Sequence, residues 1–188
     1  MRLHTGNPDS EKSYKWTAGF PAEVPLPAPV MQFLTETIFP HYNALFDNEI
    51  NKEVIEKLLE NIRDLADEMG PASFTNNIEM VMTNLEKLLE KKAYCQNRMK
   101  EGADEMGEDS EEEKDSQEEP DSEDMDHDEI ILGNTTDVII SLSKAMGDSF
   151  LPYLARLGPT LVKYLDDEHP KSDKVMVIGC LAEVFNNC

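Results

Sequence analysis

The sequence predicts an all-α fold, in which about three antiparallel helix pairs stack into a short solenoid that carries one disordered acidic loop. Apolar residues recur at steps of three and four along most of the chain, and this spacing marks one face of a helix. Two phrases, "LADEMGPASF" at 65–74 and "LSKAMGDSF" at 142–150, repeat the same helix ending. No convincing run of alternating residues indicates a strand.

The N-terminal 29 residues predict an extended segment. Four prolines lie in "PAEVPLPAP" at 21–29, and a proline disfavours helical geometry in the residue before it. From Val30 to Phe46 the apolar spacing predicts the first helix. Pro40 should bend or break this helix because proline lacks an amide hydrogen.

The first predicted helix pair has a clear ending for its first helix. This helix covers Asn51–Met69 and stops at Gly70, which is expected to form a left-handed cap, followed by Pro71, which cannot continue the helix. The second helix of the pair carries its apolar residues on one face. They are Ile78, Val81, Met82, Leu85, Leu88 and Leu89.

The second predicted pair repeats this order. A stripe over Ile131–Met146 ends at Gly147, and a second stripe follows over Leu151–Leu165. Gly158 and Pro159 should kink this second helix.

The next helix and the repeat length define the kind of solenoid. Ser149 or Asp148 is expected to cap the helix that follows Gly147. Ser172–Phe185 predicts one more helix, apolar nearly all round. The units recur at roughly 40 residues with two helices each, which is typical of HEAT and armadillo repeats. One pair cannot bury its apolar face alone, so successive pairs stack.

Negative charge is concentrated in one stretch. Glu101–Glu129 holds seventeen acidic residues and one Lys, a net charge of −16 out of −22 for the whole chain. Because so few apolar residues cannot offset the entropy of ordering, residues 100–129 are predicted to be a disordered loop. The charge argues against nucleic acid and against an anionic membrane surface as partners, and favours basic proteins. A solubilising linker without a partner is the alternative.

The same loop supplies the candidate binding residues. A mobile polyanion neutralises Lys and Arg without fixed geometry. Ser110 and Ser116 precede acidic residues, which predicts phosphorylation that would add about −1.5 to −2 charges at each site. The carboxylates expected to contact basic cargo are Glu108, Asp109, Glu111, Glu112, Glu113, Glu118, Glu119, Asp121, Glu123 and Asp124.

No catalytic, cofactor or metal site is predicted. Gly-Asp-Ser at 147–149, with Asp166 and His169 downstream, has the residue types of serine esterases, but no strand precedes the serine and the spacing is too short. "DMDHDEIILGNT" at 124–135 begins like a calcium loop, yet it lacks Gly at its sixth position and Glu at its twelfth. The cysteines have no zinc-ligand spacing with histidine, and Cys180 predicts a core residue.

The chain's three cysteines are widely scattered, and no signal peptide is visible. Both observations favour a reduced, intracellular protein. No apolar run approaches the length of a membrane span.

One long stretch resembles a known family. "DVIISLSKAMGDSFLPYLARLGPTLVKYLDDEHPKSDKVMVIGCLAEVF" at 137–185 is similar to the importin-beta superfamily of karyopherins, closest to its importin-4-like members. "LEKLLEKKAYCQ" at 85–96, just before an acidic loop, adds to a likeness that covers roughly 30–185. The resemblance implies a nuclear import receptor of cytoplasm and nucleus. Such a receptor binds basic cargo such as histones or ribosomal proteins, and meets nucleoporins and the Ran GTPase.

Receptors of that family are several times longer, so the chain resembles an internal piece from their C-terminal half. We therefore expect Ran binding to be lost, and Ser172–Phe185 to self-associate as the open end of the array. The alternative is a stand-alone acidic chaperone or scaffold for histones or ribosomal proteins. The expected organisation is an extended segment at 1–29, HEAT-like helices at 30–99, the acidic loop at 100–129 and HEAT-like helices at 130–188.

Overall fold

The computed structural model describes residues 26–101 and 122–188, with side chains described except at 98–101 and 122–126. Every regular element in these two ranges is helical, which confirms the predicted all-α, HEAT-like fold. The helices are α1 (Ala28–Phe33), α2 (Phe39–Asn48), α3 (Lys52–Met69), α4 (Ile78–Leu89), α5 (Tyr94–Glu101), α6 (Ser122–Met146), α7 (Leu151–Lys163) and α8 (Lys171–Asn187).

The N-terminal helix is irregular but not broken at its proline. A π-helical turn, Leu34–Ile38, joins α1 directly to α2, and Pro40 lies in the first turn of α2. In a π-helical turn the amides bond carbonyls five residues back rather than four. This wider turn leaves room for a proline ring, which in an α-helix would clash with the carbonyl four residues back. α1 begins at Ala28, inside the segment predicted to be extended, with Pro29 in the first turn, where a missing amide hydrogen costs nothing. Residues 1–25 lie outside the described part.

Glycine produces both predicted helix endings. Gly70 has φ 70° and ψ −171°, and Gly147 has φ 54°. Both φ values lie in the positive region, which residues other than glycine rarely adopt. A 3₁₀ turn comes next in both places: Pro71–Phe74 directly after Gly70, and Gly147–Phe150, which begins with Gly147 itself. Phe74 and Phe150 end these turns fully buried, so the repeated Ser-Phe motif delivers an aromatic ring to the core.

The predicted cap of α7 is wrong. α7 begins at Leu151 directly after the 3₁₀ turn, no side chain caps it, and Asp148 and Ser149 are exposed. The preceding turn already supplies backbone carbonyls to the first amides of α7, so a side-chain acceptor is not required. α7 also continues through Pro159, where a kink was predicted.

The start of α6 corrects the predicted loop boundary. α6 begins at Ser122, so residues 122–129 are helical although they were predicted to belong to the disordered loop. Tertiary contacts favour a helix here over a loop. In the first part of α6 whose side chains are described, His127 and Asp128 contact α3. Residues 102–121, the rest of that prediction, lie outside the described residues.

The helix pairs stack side by side around α6. α6 packs against α3 on one side and α8 on the other, while α4 contacts α7 in the second row. This arrangement buries a continuous core that crosses from pair to pair, and Cys180 belongs to it as predicted. Its largest fully buried side chains include Phe39, Phe74, Phe150, Ile62, Met82, Leu85, Ile139, Leu142 and Leu157.

Candidate partner-binding surfaces

Most of the predicted cargo-binding residues lie outside the described part of the chain. The carboxylates between Glu108 and Asp121 belong to residues 102–121, as do Ser110 and Ser116. Glu123 and Asp124 lie in the first turn of α6, with side chains that are not described. The structure therefore informs the two ends of the acidic segment, which we define as residues 102–121.

Both ends of the acidic segment are attached to the beginning of α3. α5, which leads into the segment, contacts α2 and α3. At the other end, Lys52 Nζ of α3 lies 3.0 Å from Asp128 Oδ1 of α6. Burial is the main reason that the pKa of the Cys95 thiol in α5 rises to about 11. The charges of Lys52 and Asp128 also act on this thiol, so α5 lies near both residues. The chain thus leaves and re-enters the helical array at one place.

A histidine–carboxylate pair strengthens the second attachment. His127 Nδ1 lies 2.7 Å from Glu56 Oε1, and Glu56 is buried in the surface of α3. The hydrogen bond to this carboxylate, opposed by desolvation and helped by nearby acidic charge, raises the pKa of His127. Protonation of His127 therefore strengthens its hold on Glu56, and with it the junction between α6 and α3.

A groove opens between α6 and α8. It has a volume of about 920 Å³. Its apolar lining comes from Ile130 and Ile140 of α6 and from Val175 and Met176 of α8. Three exposed carboxylates also line it: Glu129, Asp137 and Glu183. No signal in the sequence points to this groove, because it depends on how α6 and α8, which are separated by 24 residues, lie against each other.

α8 exposes large apolar side chains, as its sequence predicted. Val175, Ile178 and Phe185 are 70%, 57% and 68% exposed, whereas Val177, Cys180 and Val184 pack on the core. Helices with this distribution usually have a neighbour on more than one side. Self-association through Ser172–Phe185 stays a prediction.

Glu86 of α4 forms an ion pair with Arg156 of α7. Its Oε2 accepts hydrogen bonds from Arg156 Nε at 2.9 Å and from Arg156 Nη2 at 2.6 Å. Arg156 Nη2 also donates to Thr83 Oγ1, and Nη1 lies 3.4 Å from Glu79 Oε2. This fork of charged hydrogen bonds links the second helices of adjacent pairs. The sequence offered no signal for it, since Arg156 lies 70 residues from Glu86.

The described residues do not assemble the chemistry of an enzyme. Ser149 lies in a 3₁₀ turn between two helices rather than after a strand. His169 packs on Tyr164, with ring centroids 4.6 Å apart, and lies 3.9 Å from Asp173. The stretch at 124–135 is helical, which a calcium loop is not. Within the described residues no group of three or more His, Cys, Asp or Glu could hold a metal ion.

No helix in the described ranges is both long enough and apolar enough to cross a membrane.

Helix pairs stacked in register, with the first helices in one row and the second helices in another, define an α-solenoid of the HEAT type. The family model described as importin repeat 6 matches residues 54–167, which runs from α3 to just beyond α7. The chain therefore belongs to the importin repeat 6 family, and through it to the importin-beta family of transport receptors, which are not enzymes. Comparison with curated proteins gave no match.

Membership states the function at the level of the family. Importin-beta receptors bind cargo and transport partners, and they shuttle between cytoplasm and nucleus.

Proposed function

We propose that the chain is an importin-4-like nuclear import receptor, or a part of one, that captures basic cargo such as histones or ribosomal proteins on its acidic segment. The observation that carries this proposal is the acidic segment itself, which holds eleven acidic residues and one Lys, a net charge of −10, and is inserted between two helix pairs of an importin repeat array. Both attachments of the segment converge on the start of α3.

The physical basis is electrostatic capture followed by contact with a shaped surface. Charges act over about one Debye length, roughly 8 Å at physiological salt, so a flexible polyanion raises the rate of encounter with Lys- and Arg-rich proteins. Phosphorylation at Ser110 and Ser116 would add to this charge and tighten capture. Binding should therefore weaken steeply as the salt concentration rises.

The experiment measures binding of purified core histones to the whole chain over a series of salt concentrations. In the test variant, five carboxylates of the acidic segment become amides: Glu111, Glu112, Glu113, Glu118 and Glu119. In the control variant, five exposed carboxylates elsewhere become amides: Asp67, Glu68, Asp148, Asp166 and Glu168. We expect the test variant to lose about tenfold or more in affinity, equivalent to about 1.4 kcal/mol, and the control to lose much less. Equal losses in the two variants would reduce the role of the segment to net charge and refute the proposal.

A second measurement separates a transport receptor from a stand-alone histone chaperone. A receptor should be retained on immobilised nucleoporin repeats, whereas a chaperone should not. The predicted loss of Ran binding is tested separately. Ran-GTP is added to a preformed complex of the chain with histones, and the complex should stay intact.

A further inference from the structure

The groove between α6 and α8 has the form of a helix-binding site. Ile130, Gly133, Asp137 and Ile140 follow one another at steps of three and four, so they share the outer face of α6. From Glu129 to Ile140 the groove follows α6 for about 16 Å, or three helical turns. This length and the volume of about 920 Å³ accommodate a short amphipathic helix.

Two glycines keep the groove open. A Cβ atom at Gly133 would contact Met176 Sδ at 3.4 Å, so a side chain larger than that of Ala would enter the space between the two helices. A Cβ atom at Gly179 would meet nothing within 4 Å, so the space in front of it is free. Gly makes an exposed helix less stable than Ala does. Gly179 thus leaves a hollow between apolar side chains at the expense of helix stability.

The rim of the groove is negatively charged and largely unneutralised. Glu129 and Glu183 form no ion pair with any described residue, and Asp137 has only a long contact, 3.9 Å, with Arg63 Nη1. A bound segment that carried Glu or Asp would be repelled here, and one that carried Lys or Arg would be attracted.

We propose that the groove between α6 and α8 binds a basic amphipathic helix of a partner protein, with its apolar residues between Ile140 and Val175 and its Lys or Arg residues on Glu129, Asp137 and Glu183. This site is separate from the acidic segment, since it requires fixed apolar surface and three positioned carboxylates. Binding in the groove is therefore independent of the function proposed for the acidic segment.

The test uses a fluorescent helical peptide of about 14 residues, roughly four turns, with leucines at steps of three and four flanked by lysines. Three comparison peptides are needed. The first has the same composition in scrambled order, the second has Glu in place of Lys, and the third is a neutral Phe-Gly repeat. Because the scrambled peptide keeps the charge, any binding it shows measures attraction that depends on charge alone, without the amphipathic pattern. We expect the amphipathic basic peptide to bind at least about tenfold more tightly than all three.

Two variants of the protein locate the site. Gly179→Met fills the hollow, and we expect it to lower peptide affinity about tenfold while the Tm stays the same or rises, because Met favours a helix more than Gly does. Ala155→Met, at an exposed position of α7, is the size-matched control and should bind normally. Equal affinity of the Gly179→Met variant and the unaltered protein would overturn the proposal.

A charge-reversal pair tests the rim. Glu129→Lys with Glu183→Lys should weaken binding of the basic peptide and favour the Glu-bearing peptide. Asp148→Lys with Glu168→Lys makes the same change in net charge outside the groove and should leave the preference unaltered. If the neutral Phe-Gly peptide binds most tightly and the rim variants have no effect, the groove is an uncharged apolar site and the proposal is wrong.

Discussion

Tyr164 offers a direct test of whether contacts between helix pairs hold the array together. Its hydroxyl donates a hydrogen bond of 2.6 Å to the carbonyl oxygen of Leu89, across 75 residues of sequence. Tyr164 is 3% exposed and follows the end of α7, while Leu89 is the last residue of α4. Burial raises the pKa of Tyr164 to about 12, as expected for a phenol that has lost its contact with water.

The Tyr164→Phe variant removes one oxygen atom and leaves the ring in place. The Leu89 carbonyl is one of the last four of its helix, which have no amide partner within the helix. Without the phenol it would be buried and unpaired, at a cost of about 1–3 kcal/mol. Each kcal/mol should lower the Tm by about 2–4 °C in a chain of this size.

Urea unfolding followed by far-UV circular dichroism measures this loss. Tyr94→Phe is the matched control, because Tyr94 is exposed and its variant should unfold within about 0.5 kcal/mol of the unaltered protein. If Tyr164→Phe were as stable as the control variant, the hydrogen bond to Leu89 would contribute nothing. The stacking of the second helices would then have to rest on apolar contacts alone.

Two further predictions concern backbone strain and pH. Lys91, just after α4, has φ 53°, so Lys91→Gly should stabilise the protein by about 1 kcal/mol. Gly147→Ala should destabilise the protein by a similar amount for the opposite reason. A change in the free energy of unfolding in urea with the opposite sign for either variant would contradict this. The pKa of His127 is raised in the folded state by Glu56, so its contribution to stability is complete below about pH 6.5 and is lost as the pH rises through the folded-state pKa. The stability advantage over His127→Gln should therefore shrink as the pH rises above about 6.5, and an advantage that grows instead would rule out the pairing.

The sequence by itself determined the helices and the turns at which pairs reverse. Apolar spacing at three and four residues is a local property, and it predicted α3, α4 and α8 close to their observed bounds. Glycine at positions 70 and 147 was equally decisive, because few other residues adopt a positive φ without strain. The composition of residues 100–129 predicted a loop that ends at 129. Composition was insufficient to place this boundary, because the helix starts earlier than the acidic residues end. α6 begins at Ser122, and His127 within it contacts Glu56 of α3, a tertiary contact that composition cannot predict.

Only the tertiary structure decided which polar groups meet. Glu86 had the spacing of a solvated helix face, and only the stacking of α7 on α4 brings Arg156 to it. The groove between α6 and α8 arises in the same way: Gly133 and Gly179 are unremarkable in sequence, and they form a hollow only where the two helices lie side by side. Helix periodicity specifies which face is buried, but the register between stacked pairs depends on the shapes of all the side chains in the shared core. For that reason the family and its repeat could be inferred from local pattern, while the surfaces that would recognise a partner emerged only from the packed helices.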